Sequence, residues 1–142
     1  MPHLPLFVYG TLMSDQPAFD LIAPSVVRSV AGMASGLVMY SVGPYPLAAP
    51  GVGVIQGEIH WLQPAGYDAL LGELERYEGP EYTRVRHVVH EQAKPAHSFD
   101  AWLFLGDGAQ AALLPLIPTG DWRAWRQHLN RNAHEGLGSP QR

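Results

Sequence analysis

The chain has 142 residues, a formal net charge of −4, 46% hydrophobic and 15% charged residues, and no cysteine. That length suits one domain, the composition is not that of a disordered chain, and the acidic balance argues against a nucleic-acid partner. Disulfides, thiolate metal sites and a cysteine nucleophile are excluded. The opening "MPHLPLFVYG" lacks the charged start and apolar run of a signal peptide. No apolar segment approaches the ~18 residues of a membrane span, so a soluble, cytoplasmic protein is the expectation.

Proline and glycine (13 and 15 residues) punctuate the chain into short elements, with no repeat and no linker. Residues 5–9 read as a buried strand that stops abruptly at Tyr9, Gly10 and Thr11. "SDQPAFDLI" suits a short helix capped by Ser14 or Asp15, with Phe19 and Ile22 turned inward. Residues 26–40 suit one or two strands, "GPYPLAAPGVG" a loop, and "VIQGEIHWL" (54–62) a strand. Within that strand Gly57 signals a bulge or a close backbone approach. Over residues 64–79, Tyr67, Leu70, Leu71, Leu74 and Tyr77 recur at helical spacing, and Gly79 with Pro80 stops the helix. Residues 82–92 and 98–106 read as strands around a turn. Residues 120–129 read as a final short helix with Asp121 as N-cap. Short strands close together in sequence predict an α+β fold: a mostly antiparallel sheet or small barrel with flanking helices. The expected organisation is a single domain over 1–129 and a tail over 130–142.

Chemistry-bearing motifs are few. "GVGVIQG" is not a dinucleotide fingerprint, because its third glycine comes a residue late and no helix pattern follows. His87 and His90, three apart on a strand, face opposite sides and cannot share a metal locally. His60, His97 and His128 have no ligand spacing, so no metal and no cofactor are expected. No G-x-S-x-G elbow is present. Arg123, Arg126 and Arg131 read as a solvated face. The tryptophans at 61, 102, 122 and 125 read as core. "YGTL" is a strand end that can aim successive amides at one point, as anion-binding nests do. On the central helix, Glu73 and Glu75 flank the apolar stripe, and Glu78 projects nearest to it where the helix is ending. Periodicity does not choose among the three.

Taken in order, "VYGTL", "GLVMYSVGPYPLAAPG", "VIQGEIHWL", "LLGELERYEGPEYTRVRHVV" and "GDW" resemble the gamma-glutamylcyclotransferase-like superfamily. The nearer resemblance is to its gamma-glutamylamine cyclotransferase branch and related small bacterial proteins, over roughly residues 5–125. The resemblance implies a small, mostly antiparallel β-barrel with a few helices. It also implies release of 5-oxoproline and a free amine from a γ-glutamyl amide, without a cofactor. It puts the substrate-binding turn on Tyr9, Gly10, Thr11 and Leu12. The catalytic carboxylate falls on Glu75 within "LGELERY", and the downstream tyrosine and arginine on Tyr82 and Arg84. Gly72 and Arg76 depart from the family pattern, which has aspartate and glycine there.

In such a reaction the substrate's own α-amine attacks its γ-carbonyl, so no enzyme nucleophile is needed. The protein supplies a base and a place for the developing negative charge. Gly10 is expected to be bare because a side chain would crowd the substrate. Tyr82 closes the pocket or packs in the core, and Tyr45 and Pro46 shape a loop at the rim. The implied partner is a small γ-glutamyl compound, with no nucleic acid and no membrane; oligomeric state is open, a homodimer included. The alternatives are a non-catalytic small-molecule binding module on the same barrel, and an amidase that uses the carboxylate to activate water.

Overall fold

The computed structural model describes residues 3–138, with side chains described through residue 130. Its strands are β1 (Leu6–Val8), β2 (Val26–Val42), β3 (Tyr45–Leu62), β4 (Tyr82–Glu91), β5 (Ser98–Gly106) and β6 (Leu116–Ile117). Its helices are α1 (Tyr67–Glu78), α2 (Gly108–Ala111) and α3 (Trp122–Gly138). The sheet order is β3-β1-β5-β4-β2, and β2 pairs back onto β3, which closes a five-stranded barrel; β6 adds to β2 outside the ring. Every pairing is antiparallel except β1 with β5, where Leu6 lies opposite Trp102. This is the α+β, mostly antiparallel barrel that the sequence predicts. No helix among the described residues is long and apolar enough to cross a membrane.

The core is built where alternation and helical spacing place it. Leu6, Phe7, Ile55, Ile59, Val89, Ala101 and Leu103 from the strands are almost fully buried. Tyr67, Leu70, Leu71 and Leu74 of α1 pack onto them. α1 ends at Gly79, whose φ of 84° is a conformation that glycine adopts without strain. Trp122 is buried in the core at the start of α3, while Trp61, Trp102 and Trp125 pack against it partly exposed. Asp121 caps α3 as predicted, its carboxylate accepting from the amides of Arg123 (3.0 Å) and Ala124 (3.3 Å).

Several elements differ from expectation. "GPYPLAAPGVG" is not a loop: the chain turns only at Gly43 and Pro44, and β3 runs on through Pro46 and Pro50. Over residues 45–50 the sheet partner of β3 is β2 alone, so the prolines sit on a strand with a free edge, which tolerates a missing donor. Residues 17–25 form two short 3₁₀ turns without a side-chain cap, because Ser14 and Asp15 are engaged elsewhere. Helix α3 continues to Gly138, past the boundary placed at residue 129. Residues 139–142 of the expected tail lie outside the described residues. At Gly57 the sheet is in register, and an added Cβ would overlap the Val8 carbonyl. The glycine therefore marks a close backbone approach and not a bulge.

Candidate active site

The end of β1, the start of β3, the last turn of α1 and the start of β4 converge on one cavity of about 180 Å³. Tyr9, Gly10, Thr11 and Leu12 form one wall, Tyr45 and Pro46 another, Tyr77 and Glu78 a third, and Tyr82 with Phe104 closes it. An engineered apolar cavity of about 150 Å³ accepts benzene, so this one suits a single small-molecule moiety. It is below the usual ~300–1,000 Å³ of drug-sized sites.

The wall from β1 is a tight turn, in which the Met13 amide donates to the Gly10 carbonyl at 3.0 Å. The amides of Gly10, Thr11 and Leu12 donate to no protein acceptor among the described residues. They are available donors at the edge of the cavity. Gly10 is bare for a different reason from the one expected. An added Cβ would lie 2.5 Å and 2.8 Å from Cγ and Cδ of Pro46, so the rim of β3 sets the requirement.

Hydroxyl groups fix the remaining walls. Tyr9 donates to the Phe104 carbonyl and accepts from the Ala48 amide. Burial pushes its phenol far above the ordinary range, so it stays protonated. Tyr82 donates to the Pro46 carbonyl at 2.8 Å; burial, with the Glu78 charge nearby, raises its phenol as well. Thr11 Oγ1 and the Tyr77 hydroxyl are 2.8 Å apart, which ties the turn to the last turn of α1.

The carboxylate in this cavity is Glu78. Burial pushes it up to about 7, because the charged form loses water without gaining a cation. Its carboxyl has no hydrogen-bond or ion-pair partner among the described residues. A carboxyl poised near neutrality in a small cavity, beside unpaired amides, matches the profile of a general base.

Glu75, which the family resemblance selects, is not in this cavity. It lines an adjoining open groove with Arg76 and Arg84, its side chain is 51% exposed, and it forms an ion pair with Arg84 at 3.2 Å. Arg84 in turn stacks over the Trp102 ring, 4.3 Å from its centroid. Helix geometry explains the difference. At ~100° per residue, Glu78 lies about 40° from Leu74, at the centre of the buried stripe, whereas Glu75 lies about 100° away. Of the residues that the sequence singled out, Tyr9, Gly10, Thr11, Leu12 and Tyr82 come together, while Glu75 and Arg84 stand outside. Tyr77, Phe104 and Glu78 were missed as site residues. For Glu78 the signal was present as its projection toward the stripe.

A second polar cluster sits behind the turn. Glu58 accepts from the Ser14 amide (2.6 Å), the Ser14 hydroxyl (2.8 Å) and Arg123 Nη2 (2.8 Å). Arg123 Nε also donates to both carboxylate oxygens of Asp15 at 2.8 Å. Arg123 is thus an anchoring residue and not part of a solvated face. Burial alone would push Glu58 and Asp15 upward, but the hydrogen bonds from Arg123 and their polar neighbours outweigh it and hold both carboxyls below their ordinary values. His60, fully buried, shares a 2.6 Å hydrogen bond between Nδ1 and Ser29 Oγ, and its Nε2 lies 3.4 Å from Glu58. Burial lowers its pKa, so the ring stays neutral at pH 7.

A closed small barrel joins a strand-end turn of unpaired amides to a half-buried carboxyl, an arrangement with the size and polarity to suit one small polar ligand. More particularly, residues 6–124 match the model of the gamma-glutamyl cyclotransferase, AIG2-like family, and the chain belongs to that family. It is 29% identical over 119 residues to the gamma-glutamylcyclotransferase family protein ytfP of Citrobacter rodentium, a match covering 82% of this chain and 93% of that protein. The fold is similar to that of an aig2-like protein (ggact) from Mus musculus, with a TM-score of 0.60 and 21% identity over 81% of this chain and 86% of that one. It is also similar to YkqA from Bacillus subtilis, with a TM-score of 0.65 and 18% identity over 97% of this chain. The chain spans only 43% of the YkqA chain.

Proposed function

We propose that the protein is a gamma-glutamylcyclotransferase-type enzyme that releases 5-oxoproline and a free amine from a small γ-glutamyl amide, with Glu78 as its base. The observation that carries this reading is the raised carboxyl of Glu78 in one cavity with the unpaired amides of residues 10–12. The cavity has room for a folded-back glutamyl group, and folding the chain back brings the α-amine to the γ-carbonyl.

In this reading Glu78 takes a proton from the α-ammonium, and the free amine attacks the γ-carbonyl. The carbonyl oxygen then gains negative charge, which the unpaired amides of residues 10–12 meet as hydrogen-bond donors. Collapse of the tetrahedral species breaks the γ-amide bond as the Glu78 carboxylic acid returns its proton to the departing amine, while the ring nitrogen releases its remaining extra proton to solvent, leaving the neutral lactam. One carboxyl near neutral pKa serves both transfers. Tyr9 and Tyr82, with their phenols held protonated and already bonded to backbone, are walls of the site.

The test is 5-oxoproline release from a panel of γ-glutamyl amines and dipeptides. Glu78→Gln is expected to lose about 10²- to 10⁴-fold in kcat, and Glu75→Gln less than about tenfold. Loss on Glu75→Gln with retention on Glu78→Gln would move the base back to Glu75. Linear glutamate as the product would identify water, not the α-amine, as the attacking group. A ligand-induced rise in Tm without any product would favour the binding module.

A further inference from the structure

The turn that carries the free amides is too small to hold its own shape. Between the end of β1 and Ser14 its internal backbone hydrogen bond is the one from Met13 to Gly10. The strands do not extend it: β1 stops at Val8, and the residue opposite Val8 in the ladder is Glu58 of β3. The same Glu58 reaches the far end of the excursion, where its two oxygens take the Ser14 amide and hydroxyl. One residue therefore fixes both the point where the chain leaves the sheet and the point where the turn ends. Arg123 at the start of α3 fixes Glu58 in turn, with its other donor face on Asp15.

We propose that Glu58, held by Arg123, is a positioning residue that sets the orientation of the Gly10–Leu12 amides. This rests on the reading of the cavity as the site of acyl transfer. Glu58 is not among the residues lining the cavity and acts through the turn. The carboxylate form is required. All the groups it faces from the turn and α3 are donors, with the neutral His60 ring beside it, so an amide in its place turns one donor against Ser14 or Arg123. Donors aimed at developing charge act only at the correct position. Loosening them should lower kcat while substrate affinity, set by the remaining walls, changes little.

The experiment compares wild type, Glu58→Gln and the milder Ser14→Ala, which removes the hydroxyl but leaves the amide. Val89→Ala, a buried β4 position outside the cavity, is the control for loss of stability. Backbone order parameters of residues 10–13 are measured by NMR together with kcat, KM and Tm. The expected result is a fall in order at 10–13 from about 0.85 toward 0.6 in Glu58→Gln, and a kcat loss of about tenfold or more with KM within about threefold. Ser14→Ala is expected to fall between, and Val89→Ala to change Tm without either effect. Order at 10–13 unchanged in both test variants, or lowered equally in Val89→Ala, overturns the proposal. So does a kcat loss no larger than that of Val89→Ala. If wild type turns over nothing in the panel while the turn still loosens in Glu58→Gln, the reading of the reaction fails and the positioning of the turn stands.

Discussion

At the scale of single residues, Glu78 carries a consequence for stability as well as for chemistry. Its folded pKa of about 7 lies above the ~4.3 of an unfolded glutamate. Between those values the folded protein holds a proton that the unfolded chain has released, so stability falls as pH rises through this window and levels off above it. Glu78→Gln removes the penalty. Chemical denaturation at pH 8 should find the variant more stable than wild type by about 1–3 kcal/mol, with the difference shrinking toward pH 4.5. The acid limb of kcat/KM in wild type should show an apparent pKa near 7. On the proposed reaction, Glu78 destabilises the fold at the place where the chemistry would run, without a compensating partner among the described residues, as a carboxyl kept for function does. Glu75, by contrast, is paired with Arg84 and half exposed.

At the scale of elements, α1 tolerates a glycine in its interior. Gly72 lies mid-helix, and the nearest atom to an added Cβ is Arg76 Nη1 at 3.8 Å, an ordinary contact. Gly72→Ala should therefore stabilise the protein by about 0.5–1 kcal/mol, seen as a higher denaturation midpoint at unchanged m-value, with kcat close to wild type. α1 was legible because five apolar residues repeat at helical spacing and Gly79 ends them. β4 and β5 were legible because turn residues bound them on both sides. The β2–β3 arm was not, because Pro46 and Pro50 give a loop signal that an edge strand tolerates. The two-residue β6 has no pattern long enough to read. For the site, the turn could be read from "YGTL". The choice between Glu75 and Glu78 needed the helix docked on the barrel, since matching a short motif fixes a register only to within a turn.

At the scale of the whole molecule, Arg123 joins three distant parts of the chain: Asp15 beyond the first strand, Glu58 on β3, and α3 itself. Both carboxyls have lowered folded pKa values, so their contribution is present above the unfolded values of ~4 and is lost as pH falls below them. Arg123→Ala should cost about 2 kcal/mol at pH 7, and the gap to wild type should narrow as the carboxyls protonate, most of it gone near pH 2. Urea titrations at both pH values would measure this.

The three-residue β1 is flanked in the barrel by β3 and, in the one parallel pairing, by β5. On a ribosome its first neighbour emerges some fifty residues after it, and its second only when Trp102 has been made. Such distant pairings delay folding, because long loops must close before they are rewarded. Until then the tip of β1 has no frame to hold it, so the cavity wall that its turn supplies can settle only after β5 has left the ribosome.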